Sequence, residues 1–303
     1  MKKKFFLFFI LIILALLVAC GNANATDDEV PLLWRVTSPS GQTMYLFGSI
    51  HVGTPDIYPL PNFIMEAFNR SDYLAVEIDI SREPDLGEQM AITMPFMYTD
   101  GRTVLDDIGE ELYQRANAIF AEHGAQWFGE MFMPIMWWVS LVDLAVELAG
   151  WSPEYGVDLY FIETANSRNM QVLELESVVE QTQMLANFSI PLQIALLEDM
   201  VEAFENIDEL IEYDDDLLRA WIRGDEQWIL QMQQEEFDAL GTFAGEYEYA
   251  MLINRDIHMT QKARDFMAEG KNVFLVVGLL HLIGENSITD LLIQQGYEVE
   301  RIR

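Results

Sequence analysis

Two short apolar runs in this chain end in the same way. Met44-Tyr45-Leu46-Phe47 leads into Gly48-Ser49-Ile50-His51, and Val273-Phe274-Leu275-Val276-Val277 leads into Gly278-Leu279-Leu280-His281. A further glycine, Gly53 or Gly284, follows each histidine within three residues. Both runs have strand length and are rich in aromatic and β-branched residues. A glycine closing such a run marks a tight turn or a close backbone approach. Each imidazole is therefore expected just past the end of a buried strand, where α/β proteins gather ligands and catalytic groups. The two histidines are remote in sequence and meet only if their strands lie side by side.

The rest of the chain supplies elements for such a fold. Residues 32–36 and 44–47, on either side of Ser38-Pro39-Ser40-Gly41, read as a hairpin. A helix is expected over residues 61–70 and a strand over 73–79. This strand-helix-strand unit has the size of a βαβ crossover and implies a parallel pair. Residues 84–150 read as mainly helical, with methionines and aromatics concentrated at 94–97 and 127–138. Such stripes are first of all packing surfaces, here of a lobe above the strand ends. Gly156-Val157-Asp158 opens another helix, with Asp158 in its electropositive first turn. Residues 170–175 read as a strand running into Glu174 and Glu176, 178–267 as helical, 288–295 as a helix and 297–302 as an edge strand. The expected architecture is α/β, with a central mixed, largely parallel sheet. The domain spans 32–303, and a helical lobe inserted at about 84–150 lies over the C-terminal strand ends.

Charge and the N-terminus narrow the setting. Seventeen Lys and Arg against 50 Asp and Glu give a net charge of −33, which repels phosphate backbones and argues against nucleic-acid partners. Lys2-Lys3-Lys4 precedes an apolar stretch, Phe5 to Val18, too short to span a bilayer and suited to a signal peptide over residues 1–19. It ends in Leu17-Val18-Ala19-Cys20-Gly21, which resembles the bacterial lipoprotein box. Cys20 is the only cysteine, so no intramolecular disulfide can form. We expect lipidation at Cys20 by acyl chains such as palmitate, a tether to residue 31, and an outward-facing place at the membrane of a bacterial cell envelope. The competing reading is cleavage after Ala23-Asn24-Ala25, which would discard Cys20.

Four groups share one address, the end of an expected strand: His51, Glu77, Glu176 and His281. Two imidazoles with one or two carboxylates suit a divalent ion such as manganese, cobalt or zinc. Such an ion makes water acidic enough to ionise near neutral pH, and a spare carboxylate can act as general base. Asp79 competes with Glu77 for the inward place, and Glu174 with Glu176. Arg255 is positioned to meet a substrate anion or a site carboxylate, while His123 and His258 read as ordinary helix residues. No Gly-x-Ser-x-Gly nucleophile elbow is present.

These motifs, together with Ala75-Val76-Glu77-Ile78-Asp79, Gly156-Val157-Asp158, Leu173-Glu174-Leu175-Glu176-Ser177 and Asn254-Arg255, resemble the TraB/GumN family. That family includes the Tiki metal-dependent proteases and is related to erythromycin-esterase-like and haem-binding ChaN-like folds. The resemblance covers roughly residues 32–303. It implies His51 and His281 as signature histidines, with Glu77 and Arg255 as associated polar positions. Asp256 departs from the pattern, which leads us to expect Asn. The function so implied is a metal-dependent hydrolase acting on a peptide or small-molecule substrate, with Glu77 and Glu176 as ligand or base and Arg255 orienting substrate. The alternative is a lipoprotein that binds haem or a peptide without turnover, with the 127–138 stretch lining its pocket.

Overall fold

A computed structural model of the chain describes residues 30–124 and 129–303. The leader, Cys20 and most of the tether lie outside the described residues, as do Trp127 and Phe128.

Among the described residues six strands form one sheet: β1 Leu33–Thr37, β2 Thr43–Ser49, β3 Tyr73–Val76, β4 Gln171–Glu174, β5 Val273–Gly278 and β6 Glu298–Ile302. Their order is β4-β3-β5-β2-β1-β6. The four strands β4, β3, β5 and β2 run parallel, and β1 is antiparallel to both β2 and β6. Val273 to Val277 are each 0% exposed, so β5 is covered on both faces and takes the centre, as an uninterrupted apolar run requires. Arg35 sits opposite Glu300 in register and pairs with it at 2.5 Å. Charges of this kind protect the outer strand β6 from further pairing.

The parallel βαβ unit needs one correction. β2 and β3, joined by the helix Asn62–Asn69, are parallel but not neighbours, because β5 lies between them and pairs with both. The more apolar strand displaces the pairing that chain order favoured. That insertion places the ends of β2 and β5 side by side, with Ser49 opposite Gly278.

Two cores result. Under the sheet, Phe47, Phe68, Phe161 and Phe274 interlock, with ring centroids 4.9 Å apart for Phe161 and Phe274 and 5.0 Å for Phe68 and Phe161. The second core belongs to the helical lobe, and it is larger than residues 84–150 alone. Helices Val104–His123 and Pro134–Leu148 share it with Ile190–Phe204 and with residues from Tyr247 to Leu252. A stretch as apolar as Pro134–Leu148 has more surface to bury than its own hairpin covers, so the later helices complete it. Trp137 and Trp138, 2% and 1% exposed, lie inside this core, which fits the packing reading of the aromatic stripe.

Candidate active site

The site lies where the ends of β2, β3 and β5 meet three helices. His51 follows β2 and His281 follows β5, while Glu77 is the residue after β3. The Oε1 atom of Glu77 lies 3.9 Å from Nε2 of His51 and 3.8 Å from Nε2 of His281. The neighbouring strand ends thus bring both rings to one carboxylate oxygen. Both separations are too long for hydrogen bonds. Among the described residues the Nε2 atom of His281 has no hydrogen-bond partner, although the residue is 0% exposed.

The other nitrogen of each ring is engaged. Nδ1 of His51 is 2.8 Å from Oδ2 of Asp158, and Nδ1 of His281 is 2.6 Å from Oδ1 of Asp256. Asp158 lies in the first turn of the helix Val157–Ser167 and also accepts the Ser49 hydroxyl at 2.7 Å. Asp256 lies in the first turn of Asn254–Ala268, directly after a π-helical turn at Tyr249–Ile253, an irregularity common at functional sites. A carboxylate on Nδ1 draws the ring proton to that side and turns the Nε2 lone pair inward.

Glu77 is held by three donors. Gly278 N–H donates to Oε1 at 2.7 Å, Arg255 donates to Oε2 at 2.5 Å, and the Gln181 amide donates to Oε2 at 3.2 Å. Arg255 is 4% exposed and also donates to both oxygens of Glu176 and to the Met251 carbonyl. Its guanidinium is therefore spent on fixing carboxylates. Of the two partners expected for Arg255, a substrate anion or a site carboxylate, these contacts are to site carboxylates, and the buried cation positions Glu77. Glu176 is likewise bound into the ion pair, 2.8 Å from Arg255, and accepts from Gln181.

The competitors resolve by position. Asp79 lies half-buried beyond β3, where it accepts from Ser81, and Glu174 is exposed and accepts the Asp79 N–H. His123 and His258 are exposed helix residues away from the cluster.

Electrostatics follow from this packing. Burial opposes charge on His51, but Asp158 and then Glu77 outweigh it and push the ring up to about 9. Burial likewise opposes charge on Glu77, yet Arg255 and the two imidazoles hold its carboxyl well below the usual range. Asp256 is raised by burial, partly offset by His281.

Close approach requires glycine at two places. A Cβ on Gly278 would lie 3.1 Å from Nε2 of His51 and 3.4 Å from Oε1 of Glu77, inside the gap itself. A Cβ on Gly156 would meet the His51 carbonyl carbon at 2.9 Å. The Asp158 helix can approach the β2 end only without it.

Among the described residues no three His, Cys, Asp or Glu side chains are already spaced to hold an ion. The donor set nevertheless fits one in kind. Ligand bonds of about 2.1 Å give a tetrahedral edge of roughly 3.4 Å, so separations of 3.8 and 3.9 Å need to contract by only a few tenths of an ångström. Two inward lone pairs facing a carboxylate repel one another unless positive charge lies between them, and an ion or protons on the rings would supply it.

The profile of the TraB/PrgY/gumN family matches residues 32–301. The chain belongs to the TraB/PrgY/gumN family. It is similar to "Uncharacterized protein YbaP" of Escherichia coli strain K12, 26% identical over 85% of this chain and 90% of that protein. The Shigella flexneri protein of the same name matches equally, at 26% identity. It is also similar to "Metalloprotease TIKI2" of Xenopus tropicalis, 21% identical over 93% of this chain and 61% of that protein. No solved structure matches.

Sequence reasoning passed over Asp158 and Asp256 as site residues. Asp256 shares a helix face with Thr260, Ala263 and Met267, all buried. A charge on such a stripe is the signal that it has a partner inside. Gln181 carried no comparable signal.

Proposed function

We propose that this member of the family is a metal-dependent hydrolase, most of all a peptidase, held by lipid at Cys20 on the outer face of a bacterial membrane. The observation that carries the reading is the Glu77 oxygen placed 3.9 and 3.8 Å from two inward-facing imidazole nitrogens. His51 and His281 through Nε2, with Glu77, would hold manganese, cobalt or zinc. Such an ion supplies Lewis acidity and brings water ionisation towards neutral pH. Asp158 and Asp256 keep the ring nitrogens turned inward, and the Ser49 hydroxyl steadies Asp158. Arg255, Gln181 and the Gly278 N–H hold Glu77 as a carboxylate of fixed orientation, which suits it to binding a cation. Glu176, locked to Arg255, sets the position of that arginine.

The test is hydrolysis of a peptide pool by the purified protein, followed by mass spectrometry. We expect chelation to abolish cutting, one of the three ions to restore it, and His51→Ala and His281→Ala each to remove it. Equal cutting by either variant, or cutting indifferent to chelation, refutes the proposal. No described residue of the 127–138 stretch lines the cavity beside the histidines, so the haem-pocket alternative gains no support from that stretch.

A further inference from the structure

Beside the two histidines lies a cavity of about 100 Å³. One wall comes from the strand ends, with Leu279 and Leu280 preceding His281. The opposite wall is a helical hairpin, Ile207–Arg223 and Glu226–Leu240. Leu217 and Trp221, four apart, face the cavity from the first helix, and Ile229 and Met232, three apart, face it from the second. Each pair lies on one side of its helix. The Trp221 indole N–H donates to the Gly48 carbonyl at 2.9 Å, which ties the hairpin to the end of β2. Glu236, 5% exposed, completes the second helix's contribution and has interactions of its own.

We propose that this cavity is the subsite that receives a leucine- or methionine-sized aliphatic side chain of a peptide substrate, next to the bond being cut. The proposal rests on the hydrolase reading for its word "cut", not for the binding itself. Three observations fix the class of side chain. The wall is overwhelmingly apolar, so a polar side chain would lose its water without replacement. The volume is smaller than the ~150 Å³ that accepts benzene in a dry apolar cavity, which suits a short aliphatic side chain rather than an indole. Glu236 sets a buried carboxyl group with interactions of its own on the wall, and among the described residues no Lys or Arg lines the cavity to pair with an acidic side chain. A side chain seated there lies beside His51 and His281, which belong to the same lining.

The test has two arms. In the first, the protein carries methionine labelled with carbon-13 at its methyl groups, and the Met232 resonance is assigned by its loss in Met232→Leu. It is titrated with N-acetyl amino-acid N-methylamides of glycine, leucine, methionine, tryptophan and glutamate. We expect leucine and methionine to shift the Met232 resonance, with dissociation constants at least about tenfold below that of glycine, and tryptophan and glutamate to leave it in place. A response equal for glycine and leucine overturns the subsite. In the second arm, peptide pools are digested with manganese present, by the protein and by Leu217→Trp, which fills the cavity from its half-buried wall. Leucine and methionine should be enriched beside the cut sites, and the variant should shift that enrichment to glycine and alanine. Cutting with no side-chain preference also overturns the subsite. A Met232 response without any cutting keeps the subsite and defeats the hydrolase reading, so the two failures are distinct.

Discussion

Replacing Arg255 by methionine removes the guanidinium that lies between Glu77 and Glu176, 2.5 and 2.8 Å from their oxygens. Methionine keeps much of the volume, so the effect isolates charge. The three side chains are only 5%, 8% and 11% exposed, so neither carboxylate gains water to replace the lost partner. Breaking a buried pair from one side costs about 3–5 kcal/mol. Because Glu176 lies nearest solvent and can turn outward, we expect about 3 kcal/mol. The assay is equilibrium urea denaturation in the presence of chelator, which removes any contribution from bound metal. The pH dependence has a definite sign. In the intact protein the Glu77 carboxyl is depressed, so its contribution is present above its ordinary value of 4.5 and fades only as pH falls through the lower folded value. Without Arg255 burial prevails and the carboxyl rises, so the penalty is greatest at neutral pH and shrinks below about 4.5. The combined variant Glu77→Gln, Glu176→Gln, Arg255→Met carries no stranded charge and should recover at least half of the loss. A single-variant loss under about 1 kcal/mol, a penalty that grows on acidification, or a combined variant no better than the single one would refute the account.

Asp158→Asn and Asp256→Asn should each weaken binding of the divalent ion by about 10–100-fold. Titration calorimetry measures this with circular dichroism unchanged, and unaltered affinity would remove the aspartates from the site. Gly278→Ala places a methyl 3.1 Å from Nε2 of His51; we expect loss of ion binding with a melting midpoint within a few degrees of the parent, and normal binding would contradict the close approach. Asp143, on the lobe helix Pro134–Leu148, is pushed up to about 7 by burial, from 3.8. Its neutral form is favoured by folding, so stability should fall as pH rises from about 4 to 7 and then level off. The full shift corresponds to about 4 kcal/mol as an upper bound, and partial exposure reduces this to an expected 1–2 kcal/mol. Asp143→Asn should flatten that slope between pH 5 and 8 in urea midpoints, and parallel profiles would refute the assignment.

Legibility from the sequence divides along physical lines. Strand ends were readable because β2 and β5 are buried on both faces, and such strands appear as uninterrupted apolar runs closed by glycine. The histidines after them were readable for the same reason, since a polar ring at the edge of an apolar run stands out. Choosing between Glu77 and Asp79, or Glu174 and Glu176, was not possible from spacing. Each pair alternates by two, so strand periodicity assigns both members one face, and only the early end of β3 and β4 releases one carboxylate into the site while the other makes its contacts outside it.

The sequence by itself determined the family, the central strands and the two imidazoles, because these depend on local apolar runs and the glycines that end them. Tertiary structure alone decided what surrounds them. The order of strands placed β5 between β2 and β3. Helix starts remote in sequence delivered Asp158 and Asp256 to the ring nitrogens, and burial turned Arg255 from a reaching group into a brace for Glu77. Each of these depends on pairings between distant segments, whose free energy arises from burial and charge in a shared low-dielectric space rather than from any local preference of the chain.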